Sequence, residues 1–363
     1  MTFVVPPGYK LTPFNTVRSS RLIYAYTATN EPKVARSVTA LWNAQREKII
    51  TPELIKHAMT NAQLSQEAIL ELRESLELWI NKKLAPFWEG SMSLGSTVIL
   101  ESIERYLGRS LGTMPNEKNI DRIFELSDSV IVSKKSVFVP KELKALIDNY
   151  YAGSWSPGFH TDFPEVAASM TDWIKTRGAS EAIRYNEAQL QVWQNVINRG
   201  VVEQGINGAD LALQLQDSTG LTVKMEAAVA KHSAALAAEG VSKTAIKKAA
   251  AKYSKTLRKQ RALAIGRTEL SDAYNSSRQI TMVDNVESGV IKVSVVKKWY
   301  TAVDERVCPI CSPLHGQIVG LKETWVSENE KTGKETKSGE NPPIHAMCRC
   351  VVIYERVTQS NAA

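Results

Sequence analysis

Cys308-Pro-Ile-Cys311 and, 34 residues on, His345-Ala-Met-Cys348-Arg-Cys350 are the stretches on which the reading of this chain turns. All four cysteines of the 363-residue sequence lie between positions 308 and 350. A disulfide framework spreads its cysteines along a chain, so this clustering points to one local site. A C-x-x-C turn sets two thiolates on one side of a metal, and a compact H-x-x-C-x-C group supplies the other side. Zinc takes four sulfur or nitrogen ligands tetrahedrally in structural sites and leaves no open position for chemistry. Cys308, Cys311, His345, Cys348 and Cys350 therefore compete for four places, and one of the last three stands outside the shell. Disulfides are the competing reading; cysteine usage this sparse implies a reducing compartment, which disfavours them. A deaminase-type catalytic zinc needs an upstream His-x-Glu, and none of His57, His160, His232, His315 or His345 is followed two residues later by Glu. His315 reads as a loop residue. The expected cofactor is a structural zinc ion that holds a small module with a thin core.

Working outward, the chain changes character at Gly289. Ile291, Val293 and Val295 alternate with Lys292 and Ser294, the period-two pattern of a half-buried strand. Residues 289–357 read as a β-module and 358–363 as a tail. Within the module, 327–341 is so rich in Glu, Lys, Thr and Gly that it reads as a mobile loop. Upstream, Arg261 to Arg278 forms a helix on which Ala262, Gly266, Glu269, Ala273, Ser276 and Ile280 share one face. A buried Glu269 needs a partner. Arg267 points elsewhere, so that partner comes from another segment. Residues 166–288 read as helical, with breaks at Arg177-Gly178, at Gly200 and Gly205, and at Glu239-Gly240; Asn207 caps a helix from Ala209. Residues 1–165 read as a helical region with a short β-hairpin, 130–132 against 137–139. There Thr51-Pro52-Glu53 opens a helix, and Ile69, Leu72, Leu76, Trp79 and Ile80 recur at helical spacing. Residues 149–164 carry five aromatics in a Gly/Pro loop, pinned by Tyr150, Trp155 and Phe159 or, alternatively, docking a partner. The expected fold class is mainly α with a small C-terminal zinc-stabilised β-module, α+β.

The composition, 43% apolar and 23% charged, is that of a globular chain. No apolar run reaches the ~18 to 20 residues of a membrane span, and the N-terminus carries no secretory signal pattern. A soluble protein without a small-molecule substrate is expected. The net charge of +7 is uneven: residues 221–267 hold eleven Lys/Arg and two acids, leaving the remainder at −2. Lys243, Lys247, Lys248, Lys252, Lys255, Arg258 and Lys259 fall on one broad helical stripe within a basic insertion, 221–260. Such a stripe is a solvated face, a contact for DNA phosphates, or a contact for an acidic partner. Phosphate contacts would bind without sequence preference and weaken with salt, and no groove-reading helix is recognisable.

Arg261-Ala262, Gly266-Arg267-Thr268-Glu269, Asn275 and Arg278 resemble the "RA…ARTE…N…AR" helix of the Mu-F-like phage head morphogenesis (minor head protein) family. Trp299, Thr301, Asp304, Arg306-Val307-Cys308 and Cys311 are similar to its "W.T..D.RVC..C" signature. Gly316, Pro342-Pro343, His345 and Cys348-Arg349-Cys350 continue it. The resemblance covers about residues 170–355, with Gly266 where Ala is usual and a basic insertion larger than the family needs. It implies a minor capsid protein of the virion, in the head interior or at the portal vertex, assembled in the bacterial cytoplasm. Portal protein and major capsid protein are the implied partners, packaged DNA a further one, and DNA delivery a possible role. Arg267, Glu269, Trp299 and Asp304 become structural motif positions, and the 1–165 region a portal or capsid docking element. A non-enzymatic role is expected; a metal-dependent nuclease or hydrolase acting on DNA is the alternative.

Overall fold

In the computed structural model the described residues are 3–14, 17–108, 131–132, 137–138, 164–302, 307–328 and 335–360. The aromatic loop at 149–163 and Asp304 lie outside them. The elements run β1 (Tyr9–Pro13), α1 (Val17–Lys48), α2 (Pro52–Asn61), α3 (Gln66–Trp79), a π-turn (Ile80–Leu84), α4 (Ala85–Leu107), β2 (Ile131–Val132) and β3 (Val137–Phe138). Then follow α5 (Pro164–Ile197), a second π-turn (Asn198–Glu203), α6 (Gly208–Ser218), α7 (Val223–Ala238), α8 (Lys243–Glu287) and β4 (Val295–Tyr300). A 3₁₀ turn (Ser312–Leu314), β5 (Ile318–Gly320), β6 (Trp325–Glu328), β7 (Glu335–Gly339) and β8 (Val351–Gln359) complete the chain. The expected fold class holds: the protein is mainly helical with a small C-terminal sheet region. Among the described residues no helix is long and apolar enough to cross a membrane.

Local chemistry sets the helix ends. Thr51 and Asn207 accept from the backbone N–H groups of Leu54 and Asp210, which closes the first turns of α2 and α6. Glu239 ends α7 and Gly240 follows at φ +78°, where a side chain would be strained. Arg177-Gly178 does not break the helix as expected; α5 runs through it. One helical glycine costs only about 1 kcal/mol, and Arg177 pairs with Glu181 one turn on.

Two compact units emerge, and each draws on several stretches of chain. The first is Met1–Glu31, Phe87–Ile174 and Gly266–Ala363; the second is Pro32–Pro86 and Lys175–Ile265. Neither coincides with the sequential segments 1–165, 166–288 and 289–357.

In the first unit a four-stranded antiparallel sheet has the order β1-β8-β4-β5. Ile99 and Ile103 of α4 and Met282 of α8 share one core with Phe14, Trp299, Val352 and Tyr354. Trp299 and Trp325 meet edge to face at 5.1 Å, worth about 0.5–1.5 kcal/mol beyond the area they bury. Three strand expectations are corrected. The strand read from Ile291 begins at Val295, because residues 291–294 alternate in burial without joining the ladder. The segment read as a mobile loop contains β-structure, Ser327 pairing with Lys337 in the β6–β7 hairpin. And the N-terminal region contributes a strand, β1, with Leu11 opposite Val357. The short pair of Ile131–Val132 against Val137–Phe138 agrees with the expected hairpin.

The second unit buries Leu72, Leu76 and Trp79 of α3 and Ile80 at the start of the first π-turn, together with Trp42, Trp193, Leu211 and Leu215. Gly220, at φ +81°, lies so close to the Trp42 ring that a Cβ would approach it to 2.5 Å. Only glycine fits that turn.

Candidate metal centre

The first donor pair sits on a tight turn beyond β4. Cys311 and Ser312 donate their backbone N–H groups to the Cys308 carbonyl at 3.1 and 3.0 Å, and the Cys311 N–H also faces the Cys308 sulfur. The second group is the turn His345–Cys350. Cys348 N–H closes it on the His345 carbonyl, and Met347 adopts a positive φ of 64°.

These two turns bring all five expected donors together. Cys308, Cys311 and His345 have their donor atoms within 4.8 Å of one another, as do Cys311, Cys348 and Cys350. Cys311 is common to both sets. His345 Nε2 is 3.0 Å from the sulfurs of Cys308 and of Cys311, and the Cys311 and Cys348 sulfurs are 3.7 Å apart. A tetrahedral zinc with ~2.3 Å bonds to sulfur needs about 3.7–3.8 Å between sulfurs, so that edge fits; the nitrogen–sulfur edges are tighter than a bound metal would leave them. The cysteines are unbridged, with Cys311, Cys348 and Cys350 buried and Cys308 half-buried.

His345 is also prepared as a ligand. Its Nδ1–H donates to the Ala346 carbonyl at 2.8 Å, so that loss of the other ring proton would turn the Nε2 lone pair toward the sulfurs. Its pKa is pushed up to about 9, first by its hydrogen bond with Cys348. Hydrogen bonds with Cys311 and Cys350 hold the Cys348 thiol well below its usual range, while the bond with Cys348 raises Cys311. A divalent cation bound between these sulfurs would displace thiol protons. Four sulfurs and one imidazole form a soft donor set with no carboxylate, suited to zinc in a closed site. His315 stands apart, its Nδ1 bonded to Thr301 Oγ1 at 2.9 Å.

Helix α8 holds this centre through side chains of the Arg-Thr-Glu stretch. Thr268 Oγ1 accepts from the Met347 N–H at 3.0 Å, and Asn275 Nδ2 reaches toward the Cys350 carbonyl. Arg278, wholly buried, donates to the Val352 carbonyl at 2.7 Å and stacks on Tyr274 and Tyr354. Gln279 donates to the Leu321 carbonyl at 2.6 Å. Tyr24 of α1 donates to the Arg349 carbonyl at 2.8 Å. The motif helix is therefore a backbone clamp for the two donor turns. Arg267 is bidentate to Glu31 of α1, Nε to Oε2 at 2.8 Å and Nη2 to Oε1 at 3.0 Å. Glu269 and Trp299 are buried.

Sequence reasoning missed Glu31, Tyr24, Gln279 and Lys297. Lys297 is buried on β4, donates to the Glu340 carbonyl at 2.9 Å and lies 4.8 Å from the Trp325 ring. Burial lowers its pKa to about 8, against the pull of Glu340 and Glu323. An unfolded lysine titrates near ~10.4, so between these values the unfolded chain binds more protons and folding gains stability as pH rises. Urea titrations from pH 7.5 to 10.5 should show the wild type gaining on Lys297→Met across that window; a constant difference would contradict the burial argument.

The basic stripe lies in the second unit. Lys243, Lys247, Lys248, Lys252, Lys255 and Lys259 are exposed. Arg258 is half-buried and donates to the Asp217 carbonyl, and Lys247 pairs with Asp210 at 2.6 Å.

No curated protein and no solved structure matches the chain. Residues 191–353, which contain both donor turns and the whole of the clamping helix, match the family model of Phage Mu protein F like protein, the family that the quoted motifs resemble.

Proposed function

We propose that this chain is a minor head protein of a tailed phage or prophage, acting in head morphogenesis at the portal vertex, with a zinc ion holding its C-terminal module. The observation that supports the reading is that the family match spans a cluster of four cysteines and one histidine able to hold a metal. Zinc would be held by four of Cys308, Cys311, His345, Cys348 and Cys350. It would supply folding free energy rather than a reaction, because a thiolate shell leaves no position for an activated water. That donor set weighs against the nuclease or hydrolase alternative, in which a metal keeps an open position.

Within the head, the exposed lysines between Lys243 and Lys259 suit the phosphate backbone of packaged DNA. Portal and major capsid proteins are the expected protein partners, and assembly takes place in the host cytoplasm. The experiment is deletion of the coding sequence from the phage or prophage that carries it, with proteomics of purified particles. We expect few copies of the chain in wild-type particles, co-purification with portal, and defective or non-infectious heads on deletion. Its absence from particles together with normal, infectious heads without it would overturn the assignment.

A further inference from the structure

The second unit holds a small, mostly apolar cavity with a few polar groups in its wall, which neither the metal centre nor the head-protein reading uses. Its wall includes Trp42, Gln45, Tyr185, Gln189, Arg261 and Ile265, and its volume is about 20 Å³. Space of that size takes one particle the size of a water molecule, which needs roughly 10–15 Å³. The turn Thr219-Gly220-Leu221 fixes two of the polar groups. Gly220 N–H donates to Gln189 Oε1 at 2.7 Å, so the orientation of that amide is set, and Arg261 Nη1 donates to the Leu221 carbonyl at 2.9 Å.

What remains is a surplus of donors. Gln189 is 4% exposed, and its Nε2 is buried with no hydrogen-bond partner. Arg261 lies over the Trp42 ring at 5.6 Å, has that one carbonyl as acceptor, and forms no ion pair among the described residues. Of its neighbours, Arg184 is a cation of like sign and the Tyr185 phenol is neutral at cellular pH. A half-buried cation without a counter-ion is costly, as is a buried amide N–H without an acceptor.

We propose that Arg261 and Gln189 hold one halide ion, chloride under cellular conditions, in this cavity. A neutral water would satisfy the amide and leave the guanidinium uncompensated, while phosphate or sulfate exceeds the space. The ion completes the packing between the Gly220 turn and the helices carrying Trp42 and Gln189.

The test is thermal melting of the full chain at fixed ionic strength, with chloride replaced stepwise by gluconate, and with bromide in parallel. The wild type should show a saturable rise in melting temperature with chloride and with bromide. Gln189→Glu keeps an oxygen for the Gly220 N–H and places a carboxylate beside Arg261. It should melt at or above the wild type in gluconate and lose the halide dependence. Crystals grown in bromide should show one anomalous peak between Arg261 and Gln189. Equal melting of the wild type in chloride and gluconate, a halide-dependent Gln189→Glu, or no anomalous peak in the cavity would each overturn the proposal.

Discussion

Cys311→Ser should abolish metal retention and unfold the sheet region around it. Cys311 belongs to both donor sets and is 2% exposed, so its loss removes the sulfur that links the two donor turns. It also sits in the core shared by Trp299, Trp325 and Tyr354. Zinc bound at a structural site contributes an apparent ~10–16 kcal/mol in small zinc-dependent domains. Even a fraction of that rivals the ~5–15 kcal/mol by which a whole domain is stable. The expected result is loss of bound zinc, loss of the near-ultraviolet signal of the Trp299–Trp325 pair, and rapid proteolysis after Tyr300. Helical circular dichroism from the second unit should be largely retained. His315→Ala is the control: its imidazole is engaged with Thr301, and the variant should keep its zinc. Full retention of metal and fold by Cys311→Ser would exclude the centre as drawn.

The second large effect is expected at Glu31. Its carboxylate receives two hydrogen bonds from Arg267 in a setting where the Glu31 side chain is 8% exposed. Burial raises the Glu31 pKa and Arg267 opposes that rise, so desolvation outweighs the pair's own attraction. Such a pair contributes little net stability, yet breaking it leaves the Arg267 guanidinium, 29% exposed, without its carboxylate. Glu31→Ala should therefore cost about 1.5–3 kcal/mol in urea unfolding, while a paired Glu31→Met, Arg267→Met replacement should recover most of that loss. A double variant as unstable as the single one would show that the charges themselves hold the helices. An effect of Glu31→Ala below about 1 kcal/mol would place the pair in solvent instead.

The difference between what was legible and what was not follows from sequence distance. Cys308 with Cys311, and His345 with Cys348 and Cys350, are local groups whose spacing alone states their chemistry. Thr51, Asn207 and Gly240 act on their own helix ends, so residue type and position suffice to place them. Glu31 lies 236 residues from Arg267, inside a polar helix with no motif, and only the fold joins the two. β1 owes its strand character to its partner β8: Tyr9–Pro13 has neither strong alternation nor a hairpin turn beside it. The β6–β7 hairpin was hidden for the opposite reason. Its Glu-, Lys- and Thr-rich sequence suits a loop, yet Trp325 anchors its start in the core and Ser327 Oγ donates to the Ile310 carbonyl. Gly178 shows the limit of reading breakers singly, since an ion pair across the next turn and the length of α5 outweigh one glycine.

The clamp explains why the Arg-Thr-Glu helix and the donor turns occur in one motif. Thr268, Asn275, Arg278 and Gln279 each meet backbone of the region carrying the donor turns, at Met347, Cys350, Val352 and Leu321. Those contacts depend on backbone position, which a metal would fix. Metal and helix would thus stabilise the same geometry from two sides.

Native mass spectrometry of the intact chain, purified under reducing conditions without added chelator, tests that central claim most directly. One zinc ion per chain is predicted, with its binding offset by protons released from the thiols, and with chelation exposing the C-terminal sheet region to protease. A metal-free chain whose protease resistance and melting are unchanged by chelator would contradict it.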